Sequence, residues 1–258
     1  MIYRNFIYDQ KQSSVFAYIP KVACTNWKSV MRRLAGQPNW LKARVAHDPE
    51  ASGLTLLSAD DPLLGDLLVQ EETLLLTMVR NPFTRVLSAY LDKIARRIDA
   101  QKTAERRPDR VFDDMVASID AYRREMGSAA PEQITFEVFL RWVEAGQSPD
   151  CANEHWAPQS TLIGRWTDRF HGIGRFEAMD RDAPLILQSM GAAFPFPTQT
   201  DVRFPATDAA DRIEQFFTDD AVERVRRIYA ADFAAFGYPA TLDAARDVLP
   251  AMMPFPPK

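Results

Sequence analysis

In YIPKVACTNWKSVM (18–31), Lys21 stands directly before a run of small residues, Val22-Ala23-Cys24-Thr25. A β-rich approach, Ser14 to Ile19, stops at Pro20, and a helical pattern follows the run. A loop between a buried strand and a helix start gathers free amide donors and the positive end of the helix dipole, and so suits an anion. Lys21 adds a mobile full charge. The order differs from the triphosphate loop G-x-x-x-x-G-K-[ST], because the lysine precedes the turn and small residues stand in place of glycines. Arg80 ends a second apolar run, Thr73–Val79, where a magnesium-dependent nucleotide triphosphatase would carry an acid. An arginine there suits a nucleotide with an extra phosphate and no metal. The sequence holds no metal-ligand cluster. Cys24 reads as a packing residue, since no histidine and acid are arranged around it as a nucleophile needs.

These residues need elements to position them. The runs 14–19 and 73–79 read as strands, the second buried on both faces, and a shorter strand is expected from His171 to Phe176. Each of the first two is followed by a helix signal, the rhythm of a parallel α/β sheet. The first helix is expected to start at Thr25 as N-cap, with Trp27, Val30, Met31 and Leu34 on one apolar face. The second starts at Asn81-Pro82, a cap residue with proline at the first helical position, and buries Val86, Leu87, Tyr90, Leu91 and Ile94. Arg85, Ser88 and Asp92 share one face of it by spacing, which makes an ion pair between Arg85 and Asp92 an open alternative to a donor contact. Residues 95–130 form an amphipathic helical excursion rich in arginine, read as a solvated face or as a basic wall for an anionic acceptor. Further helices are expected at 135–145, near 181–192, and from Asp219-Asp220 to Gly237, with a long loop over 194–207.

Composition bounds the function. The chain has 258 residues, 47% of them hydrophobic and 26% charged, with a net charge of −4. That is an ordinary globular balance, and its slight acidity argues against a nucleic-acid binder. Two cysteines, Cys24 and Cys151, can form one disulfide but no framework. No apolar run approaches the roughly 20 residues of a membrane helix, and the first residues lack the apolar core of a signal peptide. One domain over 1–258, cytoplasmic and without a membrane span, is the expectation.

Several blocks carry a family resemblance. PKVACTNWKSVM (20–31) resembles the 5′-phosphosulfate loop of the carbohydrate sulfotransferases that include the chondroitin and dermatan 4-O-sulfotransferases and the HNK-1 sulfotransferase. TMVRNPFTRVLSAYLDK (77–93) resembles their 3′-phosphate motif. NEHW (153–156), IGRFEAMDRD (173–182) and FFTDDAVERVRRIYAADFAAFGY (216–238) resemble three further blocks, in family order. The resemblance implies an α/β, P-loop-like sulfotransferase fold with a central parallel sheet flanked by helices. It implies 3′-phosphoadenosine 5′-phosphosulfate as donor, adenosine 3′,5′-bisphosphate as product, no metal, and a carbohydrate or other hydroxylated acceptor. Lys21 would contact the phosphosulfate and stabilise charge on the bridging oxygen. The amides of Ala23, Cys24, Thr25, Asn26 and Trp27, with the Thr25 hydroxyl, would cradle the 5′-phosphate. Arg80 and Ser88 would hold the 3′-phosphate, and Arg203 matches an arginine in a loop near the nucleotide.

Sulfuryl transfer to a hydroxyl needs a base and a cation on the leaving side. Of the three histidines, His47 lies between the donor motifs, where related hexuronyl 2-O-sulfotransferases place a base. His155 lies in the NEHW block beside Glu154, and His171 reads as structural. His47 and His155 are both candidate bases. The animal members carry a membrane anchor, which is not expected here, and a cysteine pair after NEHW, which this sequence lacks; both departures suit a reducing compartment. Two other classes compete: a binding protein that kept the fold without catalysis, and a P-loop kinase, which the missing glycines and second-strand acid disfavour.

Overall fold

The computed structural model describes residues 3–70, 72–101, 109–127, 131–146, 153–203, 206–252 and 255–256. Cys151 lies outside them. Strands β1 (Phe6–Asp9) and β2 (Ser14–Ala17) form a hairpin, and helix α1 (Cys24–Leu34) follows β2. Then come α2 (Ala43–Ala46), β3 (Thr55–Leu57), α3 (Pro62–Val69), β4 (Leu74–Val79) and α4 (Pro82–Ala89). A π-helical turn, Tyr90–Ala95, carries α4 on into α5 (Arg96–Gln101). The chain continues through α6 (Arg110–Glu125), α7 (Phe136–Ala145), α8 (Gln159–Ile163), β5 (Gly172–Arg175), α9 (Met179–Ser189), α10 (Gln199–Val202), α11 (Ile213–Phe216), α12 (Asp219–Ile228) and α13 (Ala230–Phe236).

The five strands are ordered β3-β1-β2-β4-β5. Pairing is parallel for β2–β4 and β4–β5 but antiparallel for β1–β2 and β1–β3. The expected parallel sheet is therefore its β2-β4-β5 half, and the whole sheet is mixed. The antiparallel half escaped sequence reading because β1 and β3 are four and three residues long, too short to show a period. The three expected strands sit where the apolar runs placed them. On β4, five of six residues are buried, and Thr77 satisfies its hydroxyl by donating to the Ala17 carbonyl at 2.6 Å.

Strand-loop-helix crossovers deliver the chemistry-bearing residues to the carboxyl ends of β2 and β4, the edge where open α/β sheets bind ligands. α1 buries Trp27, Val30 and Met31 completely, as its spacing predicts. Asn81 caps α4, its side chain accepting from the Phe83 amide. Every residue of α4 is buried, so this helix is core on all sides. The expected last helix is instead two, α12 and α13, meeting at Tyr229, whose buried hydroxyl donates to the Trp156 carbonyl at 2.7 Å. Among the described residues, no helix is long and apolar enough to cross a membrane.

β5 is an edge strand, and the C-terminal segment covers it. Met252 donates its amide to the Ile173 carbonyl, and Arg175 reaches the Pro250 carbonyl at 2.7 Å. The close packing needs glycine at Gly174, where a Cβ would come within 2.9 Å of Ile186 and 3.2 Å of Met78 and Asp182. Gly174→Ala is expected to destabilise the protein by about 1–3 kcal/mol through overpacking. Urea unfolding measures this, and an unchanged midpoint would show that α9 yields freely.

The excursion over 95–130 is helical where described. Its arginines meet acids of the same excursion: Arg97 with Asp113, Arg123 and Arg124 with Asp120. Among the described residues these arginines are ion-paired.

Candidate donor and acceptor site

The loop between β2 and α1 uses no glycine, yet two of its residues adopt left-handed backbone, Lys21 at φ 70° and Ala23 at φ 50°. An L-residue pays about 1–2 kcal/mol for that conformation. Two buried arginines of the next crossover hold the loop in it. Arg80 donates from Nη1 to the Lys21 carbonyl at 3.0 Å, and Arg85 donates from Nε to the Pro20 carbonyl at 3.1 Å. The two motifs, 59 residues apart at Lys21 and Arg80, thus meet through the backbone.

α1 begins at Cys24, with Ala23 at the cap position and no side-chain cap. The expected capping role of Thr25 is corrected. Thr25 lies inside the first turn, and its hydroxyl meets His47 Nε2 at 2.9 Å. An uncapped first turn leaves its amides without intrahelical partners. Those of Cys24, Thr25 and Asn26 therefore have no acceptor within the helix. The Trp27 amide does not join them, because it donates to the Ala23 carbonyl at 3.0 Å. The Trp27 side chain is fully buried and stacks on Phe16 at 4.3 Å, so this residue is core. Asn26 ties α1 to the segment before α10, donating to the Pro197 carbonyl at 2.8 Å.

Arg80 is turned into the protein. Besides Lys21, it donates from Nε to Thr84 at 3.0 Å and lies over the Phe176 ring at 4.2 Å. Burial lowers its pKa to about 10, with Glu177 opposing, so it remains a cation at neutral pH. Gln159 locks the Arg80 backbone from both sides, accepting from its amide at 3.0 Å and donating to its carbonyl at 2.8 Å. Ser88 is also buried, but its hydroxyl meets Thr207 at 2.9 Å. Arg80 and Ser88 share no hydrogen bond. Arg203 is exposed at the left-handed end of α10, in the stretch that leads to Thr207.

Arg85 does not pair with Asp92. Its guanidinium is buried and fans onto the carbonyls of Pro20, Ala157 (2.8 Å) and Glu154 (3.0 Å). It therefore staples the NEHW block to the Lys21 loop. That block is also anchored by Asp232, whose carboxylate accepts from the Gln159 and Ser160 amides at 2.8 Å each. Asp92 instead pairs with Lys21 at 2.9 Å.

The two candidate bases face the same cationic ground. His155 Nδ1 lies 2.7 Å from Asn153 Oδ1. A carbonyl oxygen only accepts, so Nδ1 carries the proton and Nε2 keeps the lone pair. Burial first, then Lys93, Lys21, Arg85 and His47, hold His155 well below the ordinary imidazole value. His47 is exposed as a residue, yet its Nε2 is turned onto the buried Thr25. Desolvation, then Lys28 and Lys93, lower it to about 4. Its loop is fixed by Arg32, which donates to the Ser52 and Pro38 carbonyls. His171 is exposed, and its Nδ1 accepts from the Leu75 amide at 3.0 Å, a structural role on the sheet. Among the described residues no cluster of three His, Cys, Asp or Glu could hold a metal ion.

Sequence reasoning missed Gln159, Asp232, Thr207 and the roles of Asp92 and Arg85. Only the Arg85–Ser88–Asp92 spacing hinted at any of them, and it suggested the wrong partner.

A strand-loop-helix turn, a lysine and buried arginines stand together at the carboxyl edge of the parallel half of an α/β sheet, the edge where open sheets of this class bind ligands. The chain belongs to the Sulfotransferase family, whose profile matches residues 4–239. It is similar to carbohydrate sulfotransferase 14 of Mus musculus, with 28% identity over 92% of this chain and 60% of the relative. The Homo sapiens protein of that name is 30% identical over 80% and 50%, and carbohydrate sulfotransferase 11 of Mus musculus 25% identical over 91% and 67%. The chain thus spans between half and two thirds of the length of these curated relatives. No solved structure matches it.

Proposed function

We propose that the chain transfers a sulfuryl group from 3′-phosphoadenosine 5′-phosphosulfate to a hydroxyl of a carbohydrate acceptor. The observation that carries this reading is the uncapped first turn of α1, which follows Lys21 and whose Thr25 hydroxyl meets His47 Nε2. The similar curated proteins are named carbohydrate sulfotransferases, which favours a sugar acceptor. The residues present fit the donor: amides of Cys24 to Asn26 for the 5′-phosphate, Lys21 for the phosphosulfate, and Ser88 with Thr207 and Arg80 toward the 3′-phosphate. When bound, the donor supplies an activated sulfuryl group with adenosine 3′,5′-bisphosphate as leaving group.

Lys21 neutralises negative charge that grows on the leaving oxygen. His155, oriented by Asn153, takes the acceptor's hydroxyl proton at Nε2. The triad logic of a base held by a third group favours His155 over His47, whose Nε2 is already engaged by Thr25. His47 is assigned to the donor loop, where it holds Thr25. A cytoplasmic site of action belongs to the same proposal, and cell fractionation that recovers the protein with membranes would remove it.

Lys21→Ala is expected to weaken adenosine 3′,5′-bisphosphate about 10-fold or more, the loss of one charge-assisted contact of about 1.5–3 kcal/mol. Arg80→Ala should weaken it too and also lower the melting temperature, since it releases the Lys21 carbonyl. Calorimetry that finds unchanged affinity in both variants would remove the donor site. Transfer of label from the donor to a glycan panel would separate catalysis from mere binding.

A further inference from the structure

Asp92 lies on the π-helical turn Tyr90–Ala95, only 6% exposed, among three cations. Its Oδ2 meets Lys21 Nζ at 2.9 Å and Lys93 Nζ at 3.4 Å, and its Oδ1 meets Arg96 Nη1 at 2.8 Å. Wide turns of this kind inside α-helices cluster at functional sites, because they re-aim side chains relative to the regular spiral. Spacing sets Asp92 on the face of Arg85, and both reach the same loop: Arg85 the Pro20 carbonyl, and Asp92 the Lys21 ammonium, 71 residues away.

Lys21 is thereby fixed at both ends. Arg80 holds its carbonyl, and Asp92 holds its ammonium. An ammonium has three N–H donors, and Asp92 takes one, which leaves two for the loop mouth. Three cations around one carboxylate keep the local field positive, so an anionic ligand still gains by entering. We propose that Asp92 is the positioning residue for Lys21, fixing its ammonium toward the α1 cradle and holding its proton while the donor is bound.

The electrostatics agree with the geometry. Burial lowers the Lys21 pKa, and Asp92 is the chief force opposing it, with Cys24 on the same side and Lys93 against. Burial alone would raise Asp92, but Lys21, Lys93 and Arg96 outweigh it and keep the carboxylate ionised. His47 and His155 also feel Lys21, and both are held neutral. Without Asp92, the buried ammonium would give up its proton at lower pH.

The inference rests on the donor site proposed above, and the test separates the two. Calorimetry follows adenosine 3′,5′-bisphosphate binding to the full chain from about pH 7.5 to about 10, where the ligand's phosphates no longer titrate and lysine does. Asp92→Asn is expected to move the midpoint of the alkaline loss of affinity down by about one pH unit or more. The same comparison in a Lys21→Ala background should show no shift, which excludes Lys93 as its source. An unchanged midpoint in Asp92→Asn, or a shift that persists without Lys21, overturns the proposal. Equal affinity in Lys21→Ala, Arg80→Ala and their parent would instead overturn the donor site. If Asp92→Asn does not fold, Asp92→Ser is judged by the same midpoint, and Asp92→Glu, which keeps the charge, must retain the parent's midpoint or the proposal falls.

Discussion

His155→Ala is expected to lower turnover about 100- to 10,000-fold, the usual contribution of a general base, while affinity for adenosine 3′,5′-bisphosphate changes less than about twofold. The geometry separates the two quantities. His155 touches Asn153 through Nδ1 and the edge of Phe112 at 5.5 Å, and makes no hydrogen bond to the Lys21 loop. His47 does touch that loop through Thr25, so His47→Ala should chiefly weaken the nucleotide. The opposite pattern, with turnover lost in His47→Ala and kept in His155→Ala, would exchange the two roles. Full rates in both would exclude a histidine base. The pH dependence adds a second test. His155 is held well below the ordinary value near 6.5, so it is neutral and competent through pH 6 to 8. The acid limb of kcat should therefore fall well below pH 6.5. The sign for stability follows. As pH drops through 6.5 the unfolded chain binds a proton at this histidine and the folded chain does not, so folding weakens from there down to the folded value. Melting temperatures of His155→Ala should depend less on pH in that window than those of the parent.

Arg85→Ala is expected to cost at least about 3 kcal/mol of stability and to weaken the nucleotide about 10-fold. Hydrogen bonds to a charged group contribute about 1.5–3 kcal/mol each, and this buried guanidinium makes three, which do not add fully. Truncation leaves the carbonyls of Pro20, Ala157 and Glu154 without their donor. It also releases the loop residue next to Lys21, whose left-handed backbone then relaxes. Arg85→Lys should rescue little, because an ammonium is a point charge and cannot reproduce a planar fork across three acceptors. Chemical unfolding and calorimetry on the two variants measure this. Near-parental stability and affinity in Arg85→Lys would show that charge, and not the fork, holds the two motifs together.

Local physics fixed a good part of this molecule. The apolar runs at 14–19 and 73–79 had to be strands, and Asn81-Pro82 had to open a helix, because each signal acts within a few residues. The lysine-first small-residue loop had to lead into a helix for the same reason. The blocks around Lys21, Arg80 and NEHW were enough to place the chain among the sulfotransferases. Long-range geometry was not legible. The antiparallel half of the sheet rests on strands too short to carry a period. Trp27 could not be divided between core and site until Phe16 was seen beneath it. The spacing of Arg85 and Asp92 on one helical face was sound, but each found a partner other than its neighbour, Arg85 in a buried fan of carbonyls and Asp92 in Lys21. Those choices depend on which backbone oxygens lie buried within reach, and that is set by folding together segments 65 to 72 residues apart. The sequence by itself determined the lysine-first loop and the family. Only the tertiary structure decided that Arg80 and Arg85 carry that loop, that Asp92 answers Lys21, and that the two histidines meet Thr25 and Asn153.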